Sequence, residues 1–363
     1  MQSRLYPEQN LQGIGKAMNI KRLVSICLGV VIVSLGGVSI AYARERIQIV
    51  GSSTVFPFST TVAEQFGRTT NFGTPVVEST GTGGGIKLFC NGIGEQHPDI
   101  ANASRRIKAS ELKKCAENGV TDVTEVKIGY DGIVLANAQD ASSFEISLRQ
   151  VFLALAKEVP IDGQMVPNPY RKWRDIDASL PDSDIEVLGP PPTSGTRDAF
   201  VELALEGGCK TFESIKSLKI TDKNLYKVIC HTIREDGAYI EAGENDNLIV
   251  QKLVANSTAI GVFGFSFLER NFDKVKGSVI NDVPPSFENI VSGAYPVSRS
   301  MYFYVKNAHV GIIPGIREFV DEFTSERAWG DFGYLTDKGL IPLMGGERDE
   351  WRKLAVTLTP LSM

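Results

Sequence analysis

Histidine is scarce in this sequence, in which only His97, His231 and His309 occur among 363 residues. None of them lies near a serine-containing turn along the chain, so the usual base for an activated serine is missing. The five cysteines form no CxxC or mixed Cys/His spacing, and no metal-binding cluster is recognisable. This scarcity argues against a secreted phosphatase or other hydrolase, and it predicts a protein without catalytic activity, cofactor or metal.

An excess of basic residues is also missing. The 38 Lys and Arg residues face 43 Asp and Glu residues, which gives a net charge of -5. Residues 1–43 contain four basic and one acidic residue, so residues 44–363 carry 34 basic and 42 acidic residues, a net charge of -8. Nucleic acid is therefore not expected as a partner. An anionic ligand would have to be held by local dipoles and a few arginines.

The amino-terminal segment has the pattern of an export signal. Lys21 and Arg22 precede an uncharged run from Leu23 to Ala43, which ends in Ala-Tyr-Ala. This pattern predicts a cleaved signal peptide over residues 1–43 and a periplasmic protein. A retained membrane anchor is the alternative, because about 20 apolar residues can span a bilayer.

Four cysteines remain after residue 43, and they form two close pairs along the chain. In an oxidising compartment an even number of cysteines predicts disulfides. We expect Cys90 to pair with Cys115 and Cys209 to pair with Cys230. Four reduced, buried thiols are the alternative.

Strand-like and helix-like segments alternate along the chain. Short β-type runs at residues 47–50, 75–78 and 185–188 each lead through a small polar turn into a helical pattern. This alternation predicts α/β lobes with largely parallel sheets, and the length favours two lobes. Residues 129–137 and 295–306 are predicted strands and could be two passes of a hinge. Lobe I would then contain residues 44–137 and 295–363, and lobe II residues 138–294.

The turns before the helices are rich in hydroxyl groups and glycine. The first turns of a helix offer unpaired N–H groups and a positive dipole end, to which Ser and Thr hydroxyls add donors. Each such turn alone is better explained by ordinary capping, but three of them after strands favour a shared anion site. Arg105, Arg106 and Arg197 stand beside such turns, and a guanidinium matches phosphate oxygens well. Surface charges or local ion pairs are the alternative for each arginine.

Four segments together resemble the phosphate-binding proteins of ABC transporters. They are GSSTVFP at 51–57, STGTGGGIK at 79–87, ASR at 103–105 and SGTRDAF at 194–200. The resemblance covers nearly all of residues 44–363. It implies the type 2 periplasmic binding protein fold, two α/β lobes joined by a two-pass hinge, with inorganic phosphate bound between them for a membrane permease. A monomer is expected. A receptor for sulfate or tungstate is the alternative within binding proteins.

The sequence departs from this family at two points. Many members have an Asp in the third segment that accepts the proton of hydrogen phosphate, where this chain has Ser104 followed by Arg105. Many also place an arginine shortly before the Ser-Gly-Thr turn, where this chain has three prolines. We expect Asp131 to replace the missing carboxylate, with Asp236 as second candidate. The predicted ligand-binding residues are Ser53, Thr54, Val55, Thr82, Gly83, Ser104, Arg105, Asp131, Ser194, Gly195, Thr196 and Arg197.

Overall fold

The computed structural model describes residues 44–243 and 245–361. The predicted signal peptide, residues 1–43, lies outside the described residues. The strands of the described part are β1 Gln48–Gly51, β2 Val76–Ser79, β3 Ile100–Ala103, β4 Val123–Ala138, β5 Glu145–Ile146, β6 Glu158–Ile161, β7 Gln164–Pro167, β8 Val187–Gly189, β9 Tyr239–Glu241, β10 Ile260–Gly264, β11 Val275–Gly277, β12 Val279–Ile280 and β13 Ser298–Lys306.

Helices follow most of these strands. Within the described part they are α1 Phe56–Thr69, α2 Thr82–Phe89, α3 Ala109–Glu117, α4 Leu148–Leu155, α5 Trp173–Ile176, α6 Gly195–Phe200, α7 Glu206–Cys209, α8 Glu213–Thr221, α9 Lys223–His231, α10 Asp246–Ala255, α11 Phe265–Arg270, α12 Phe287–Val291, α13 Ile316–Phe323, α14 Glu326–Trp329 and α15 Gly345–Thr357. A π-helical turn, Val201–Leu205, joins α6 to α7. None of these helices is both long and apolar enough to cross a membrane.

One mixed sheet organises the fold. Its strand order in the described chain is β2-β1-β3-β13-β4-β10-β8-β9, and β11 also pairs with β4. The pairs β1–β2, β1–β3, β8–β10 and β8–β9 are parallel, as the alternation of strands and helices predicts. The central strands β13 and β4 are antiparallel to their neighbours, so the expectation of largely parallel sheets is wrong there. The fold is a mixed α/β fold.

The two predicted hinge passes pair with each other. They lie in β4 and β13, which form an antiparallel ladder from Ser298 opposite Gly132 to Lys306 opposite Val123. Beyond Gly132, β4 continues and pairs with β10. One strand therefore takes part in both halves of the sheet, and the division into two lobes stays a prediction.

Both predicted disulfides are present, and each lies in a hydrophobic cluster of its own. Cys90 is bonded to Cys115 beside Phe89 and Tyr304. Cys209 is bonded to Cys230 in a cluster that includes Phe152 and Tyr226. Most other buried apolar residues form one larger core.

The helix after the Ser-Gly-Thr turn contains Gly207 and Gly208 in its last turn. It continues through the π-helical turn to Cys209. A Cβ atom on Gly208 would lie 2.0 Å from the carbonyl oxygen of Leu148 in α4. Gly208 is therefore needed for close packing of two helices, and it does not act as a helix stop.

Candidate functional site

Several strands end at the same place, beside the middle of β4. β13 starts with Ser298 opposite Gly132, followed by Arg299 opposite Asp131, and β10 ends with Gly264 opposite Ile133. The strands β1, β2 and β3 lie in parallel on the β13 side, and β8 lies in parallel beside β10. Loops that follow the carboxyl ends of parallel strands usually form the binding crevice of an α/β fold. The predicted turns lie in these loops.

The first turn connects β1 to α1. The N-cap residue of α1 is Val55, whose side chain has no oxygen with which to cap the helix, and Pro57 follows in its first turn. Thr54 is almost fully buried, yet Ser53 and Thr54 both line a cavity of about 650 Å³. The start of α1 therefore presents hydroxyl groups and a positive helix end to this cavity.

The Ser-Gly-Thr turn faces the first turn. Ser194 is the N-cap of α6, and its hydroxyl accepts a hydrogen bond from the Thr196 amide at 3.2 Å. A Cβ atom on Gly195 would lie 3.1 Å from the carbonyl oxygen of Ser53. The two turns can approach this closely because position 195 has no side chain.

The cavity between these turns combines helix starts with acidic side chains. Its walls include residues from α1, β4, the Ser-Gly-Thr turn, the start of α10 and the end of β10. They are Ser53, Thr54, Phe56, Pro57, Phe58, Thr60, Thr61, Glu64, Ser79, Asp131, Thr193, Ser194, Gly195, Thr196, Asp198, Asp246, Gly264, Phe267, Lys338 and Gly339.

An arginine absent from the predicted set lies directly behind two residues of the cavity wall, Thr54 and Asp131. Arg299 contacts the Thr54 hydroxyl through its Nη2 atom, and its Nε atom lies 3.4 Å from Asp131 Oδ2. Its Nη1 atom donates to Glu202 Oε2 at 2.6 Å. The Arg299 side chain is only 9% exposed. A buried guanidinium thus directly joins the first turn to two carboxylates.

The environment of Asp131 is set by burial and by this arginine. Burial raises the pKa of Asp131, and the positive charge and hydrogen bond of Arg299 act in the opposite direction. The carboxylate lines the cavity and positions Arg299 beside it. Removing one partner of such a buried ion pair is strongly destabilising, because the other charge is left buried without compensation.

A second carboxylate, Asp246, lines the cavity from the first turn of α10. It is 8% exposed, and Gly264 N donates to its Oδ2 atom over a long distance of 3.4 Å. Burial raises the pKa of Asp246 to about 6, and the Gly264 amide opposes this increase. Nothing in the sequence distinguishes Asp246 as a site residue, since an acidic residue in the first turn of a helix is common for structural reasons.

Comparisons with known proteins agree with this architecture. The family model described as a PBP superfamily domain matches residues 39–327. The protein SphX of Synechococcus elongatus is 32% identical over 307 residues, which cover 83% of this chain and 78% of SphX. The phosphate-binding protein PstS of Staphylococcus saprophyticus is 28% identical over 279 residues, covering 74% of this chain and 73% of PstS. The chain belongs to the phosphate-binding protein family.

A solved structure of this family has a similar fold. It is described as a possible phosphate binding protein from Planctomyces limnophilus, and it superimposes with a TM-score of 0.67 at 25% identity. The match covers 86% of this chain and 98% of that protein. PstS from Borrelia burgdorferi, with a TM-score of 0.53 and 18% identity, has the same fold. The type 2 binding-protein fold expected from the sequence is thereby confirmed.

Half of the predicted ligand residues line the cavity. These are Ser53, Thr54, Asp131, Ser194, Gly195 and Thr196. Thr82 and Ser104 are instead bonded to each other, with their hydroxyl oxygens 3.1 Å apart, and the Ser104 amide donates to Thr82 Oγ1. Val55 is fully buried and Gly83 lies in the first turn of α2. Their roles as ligands stay predictions.

The two predicted arginines of the family motifs have other partners in this structure. Arg105 forms a two-bond ion pair with Glu111, at 2.9 and 2.7 Å. Arg197 donates to the Pro190 carbonyl at 3.2 Å, and its guanidinium lies 4.2 Å from the centre of the Tyr239 ring. Like Arg299, neither is among the lining residues, but Arg299 contacts two residues that line the cavity, Thr54 and Asp131.

Asp236, the second predicted carboxylate, lies apart from this cavity. It forms ion pairs with Arg234 and Arg171, each at 2.5 Å. The hydrogen bond from Arg234 holds the pKa of Asp236 well below its ordinary value, although burial opposes this. Asp236 therefore orders the loop before β9 and is not among the residues around the cavity.

Proposed function

We propose that the protein captures inorganic phosphate in the periplasm and delivers it to the permease of an ABC transporter. The observation that carries this proposal is that Thr54 and the Ser194–Gly195–Thr196 turn line one cavity, beside the Arg299–Asp131 pair. Helix starts and hydroxyl groups can bind the oxygens of a tetrahedral anion. Its relatives include phosphate-binding proteins such as PstS of Staphylococcus saprophyticus, which supports phosphate as that anion.

Arg299 supplies the positive charge in this proposal. A guanidinium already bonded to Thr54 and Asp131 is oriented before the anion arrives, which lowers the entropic cost of binding. Glu202, which is half-exposed, occupies the Nη1 atom in the structure. An entering phosphate would replace the Glu202 carboxylate at this atom, since both are oxyanions.

We further propose that the protein only binds its ligand and catalyses no reaction. Two of the three histidines are bonded away from the cavity, His309 to Asp99 at 2.6 Å and His231 to Glu206 at 2.8 Å. No histidine lines the cavity, although all three lie in the described part of the chain. A serine at the cavity would thus lack the base that nucleophilic attack requires.

We infer export, a monomeric state and closure of two lobes from the sequence pattern alone. Cleavage after Ala43 would release a monomer into the periplasm, and residues 44–137 with 295–363 would close on residues 138–294 around the anion. Closure presents a different surface when the ligand is bound, which a permease can recognise.

Calorimetric titration of the chain beginning at Arg44 tests the proposal. Phosphate should bind tightly and with one-to-one stoichiometry, sulfate and tungstate should bind more weakly, and a generic phosphomonoester should release no phosphate. Preferred binding of sulfate or tungstate would assign the protein to another oxyanion. Steady release of phosphate from the ester would make it a hydrolase.

A further inference from the structure

Helices α8 and α9 form a surface hairpin whose charge differs from that of the rest of the protein. Residues 213–231, called the α8–α9 hairpin below, contain four lysines and two acidic residues, which gives a net charge of +2. The rest of residues 44–363 therefore carries -10. All four lysines are exposed. An anionic surface would repel most of the molecule and attract this hairpin.

Two of the four lysines have no acidic partner. Lys216 and Lys219 each form an ion pair, at 2.9 and 3.0 Å. Within segments 44–243 and 245–361, Lys223 and Lys227 form none. Asp222, beside them in sequence, is the N-cap of α9 and accepts a hydrogen bond from a backbone amide of this helix at 3.0 Å. Two ammonium groups on one side of α9 are thus available to an anionic partner.

Exposed apolar side chains lie beside these lysines. Ile220, in the last turn of α8, is 92% exposed, and Leu225 and Val228 of α9 are 44% and 60% exposed. Positions three residues apart share one side of a helix, so Leu225 and Val228 form one apolar strip. Tyr226 and Ile229, on another side of α9, are buried in the protein. The hairpin therefore presents both positive charge and aliphatic groups to its surroundings.

A disulfide and an apolar cluster fix the hairpin beneath this surface. Cys230 of α9 is bonded to Cys209 of α7, and the surrounding cluster contains Ile215 and Tyr226 of the hairpin. The exposed lysines and aliphatic side chains are therefore held in place before a partner arrives, which lowers the entropic cost of docking.

We propose that the α8–α9 hairpin docks on a bilayer of anionic phospholipid. Lysines beside aliphatic side chains are typical of helices that lie in the membrane interface, where apolar groups enter the acyl boundary and ammonium groups contact the headgroups. Protein interfaces, in contrast, are depleted in Lys and enriched in Trp, Tyr and Arg. None of these three is exposed on the hairpin. Docking goes beyond the proposed function and does not depend on which anion the cavity binds.

Flotation with lipid vesicles tests this docking on the chain beginning at Arg44. Wild type should bind mixed phosphatidylglycerol and phosphatidylcholine vesicles, added salt should release it, and pure phosphatidylcholine should not bind it. Lys223→Gln with Lys227→Gln should weaken binding at least about tenfold, because two ammonium groups near the headgroups are lost. Ile220→Ser with Val228→Ser should weaken it about fivefold or more, although the charge is unchanged.

Matched changes elsewhere on the surface are the controls. Lys113→Gln with Lys353→Gln removes two exposed lysines from α3 and α15, and Phe332→Ser removes a fully exposed apolar side chain. Both controls should bind vesicles as wild type does. Every variant should keep the wild-type melting temperature and phosphate affinity, because each changed residue is exposed and none lines the cavity.

Lack of wild-type binding to the mixed vesicles, or equal losses in the hairpin and control variants, would overturn lipid docking. Binding to native membranes but not to pure lipid would also overturn it and would assign the hairpin to a membrane protein. Hairpin-dependent dimers in sedimentation, without vesicle binding, would assign it to a second copy of the chain. Failure of wild type to bind phosphate would refute the proposed function alone, since the vesicle assay contains no phosphate ligand.

Discussion

The guanidinium of Arg299 is surrounded by oxygen atoms from three different parts of the chain. Thr54 follows β1, Asp131 belongs to β4 and Glu202 belongs to the π-helical turn. Asp131 is 13% exposed and Glu202 is 49% exposed. The exposed partner is the easier one to exchange for a ligand, because water screens its attraction and can solvate the released carboxylate.

Arg299→Ala should greatly weaken phosphate binding. The substitution removes the counter-charge of the anion and leaves Asp131 buried without a partner, so the loss should be about 2 to 5 kcal/mol in binding free energy. Calorimetric titration measures this loss. Arg68→Ala is the control, since Arg68 is exposed in the last turn of α1 and donates only to Gln65 of the same helix at 2.8 Å. An Arg299→Ala protein with wild-type affinity would remove Arg299 from the site.

Asp246→Asn should stabilise the ligand-free protein at neutral pH. Burial raises the pKa of Asp246 from an ordinary value of 3.8 to about 6, so its contribution to stability is present below pH 3.8 and is lost as the pH rises through 6. The difference between these two pKa values corresponds to about 3 kcal/mol in the free energy of unfolding above pH 6.

Thermal unfolding at several pH values checks this expectation. The melting temperature of Asp246→Asn should exceed that of wild type at pH 7.5, and the difference should disappear towards pH 4. A gain of equal size at both pH values would mean that the raised pKa of Asp246 is not its cause. Asp222→Asn is the control and should change neither value, because Asp222 is an exposed N-cap of α9 and Asn keeps the oxygen that accepts from the Leu225 amide.

At the scale of helices and strands, local sequence patterns predicted the fold well. The turns before α1, α2 and α6 lie where hydroxyl and glycine residues follow short β-type runs. Both disulfides also followed from the spacing of the cysteines. These features depend on residues close together in the sequence. The composition of each short segment is enough to indicate them.

The remaining parts of the site depend on strand register. Arg299 faces Asp131 because β13 and β4 pair in one particular alignment, and 168 positions separate the two residues in the chain. Asp246 approaches the cavity because Gly264 ends β10 beside Ile133. No local pattern encodes these pairings. The one available signal was that Arg299 lies within the predicted second hinge pass.

Gly208→Ala should destabilise the protein. Its added Cβ atom would meet the Leu148 carbonyl oxygen at 2.0 Å, so α4 and α7 would have to move apart, at a cost of about 1 to 3 kcal/mol. Gly345→Ala is the control, because no atom lies within 4 Å of the added Cβ atom at the start of α15. Chemical denaturation measures both changes. Equal stability of the two variants would contradict the close packing at Gly208.

At the scale of the whole molecule, the proposed closure should change the dimensions of the protein. Donors from the segments on both sides of β4 would contact one anion, so binding should draw these segments together. We expect a smaller radius of gyration in saturating phosphate, measured by small-angle scattering on the chain beginning at Arg44. Identical scattering with and without phosphate would refute closure. Sulfate at the same ionic strength is the control for salt effects.

The acidic character of the cavity wall has a consequence for the rate of capture. Four carboxylates, Glu64, Asp131, Asp198 and Asp246, line the cavity together with one cation, Lys338, and residues 44–363 carry a net charge of -8. A dianion therefore approaches against electrostatic repulsion, in contrast to ligands that are steered to an oppositely charged cleft. Added salt screens this repulsion, so the association rate constant should increase with ionic strength. A long residence time of the bound anion, rather than frequent encounters, would then give the protein its affinity.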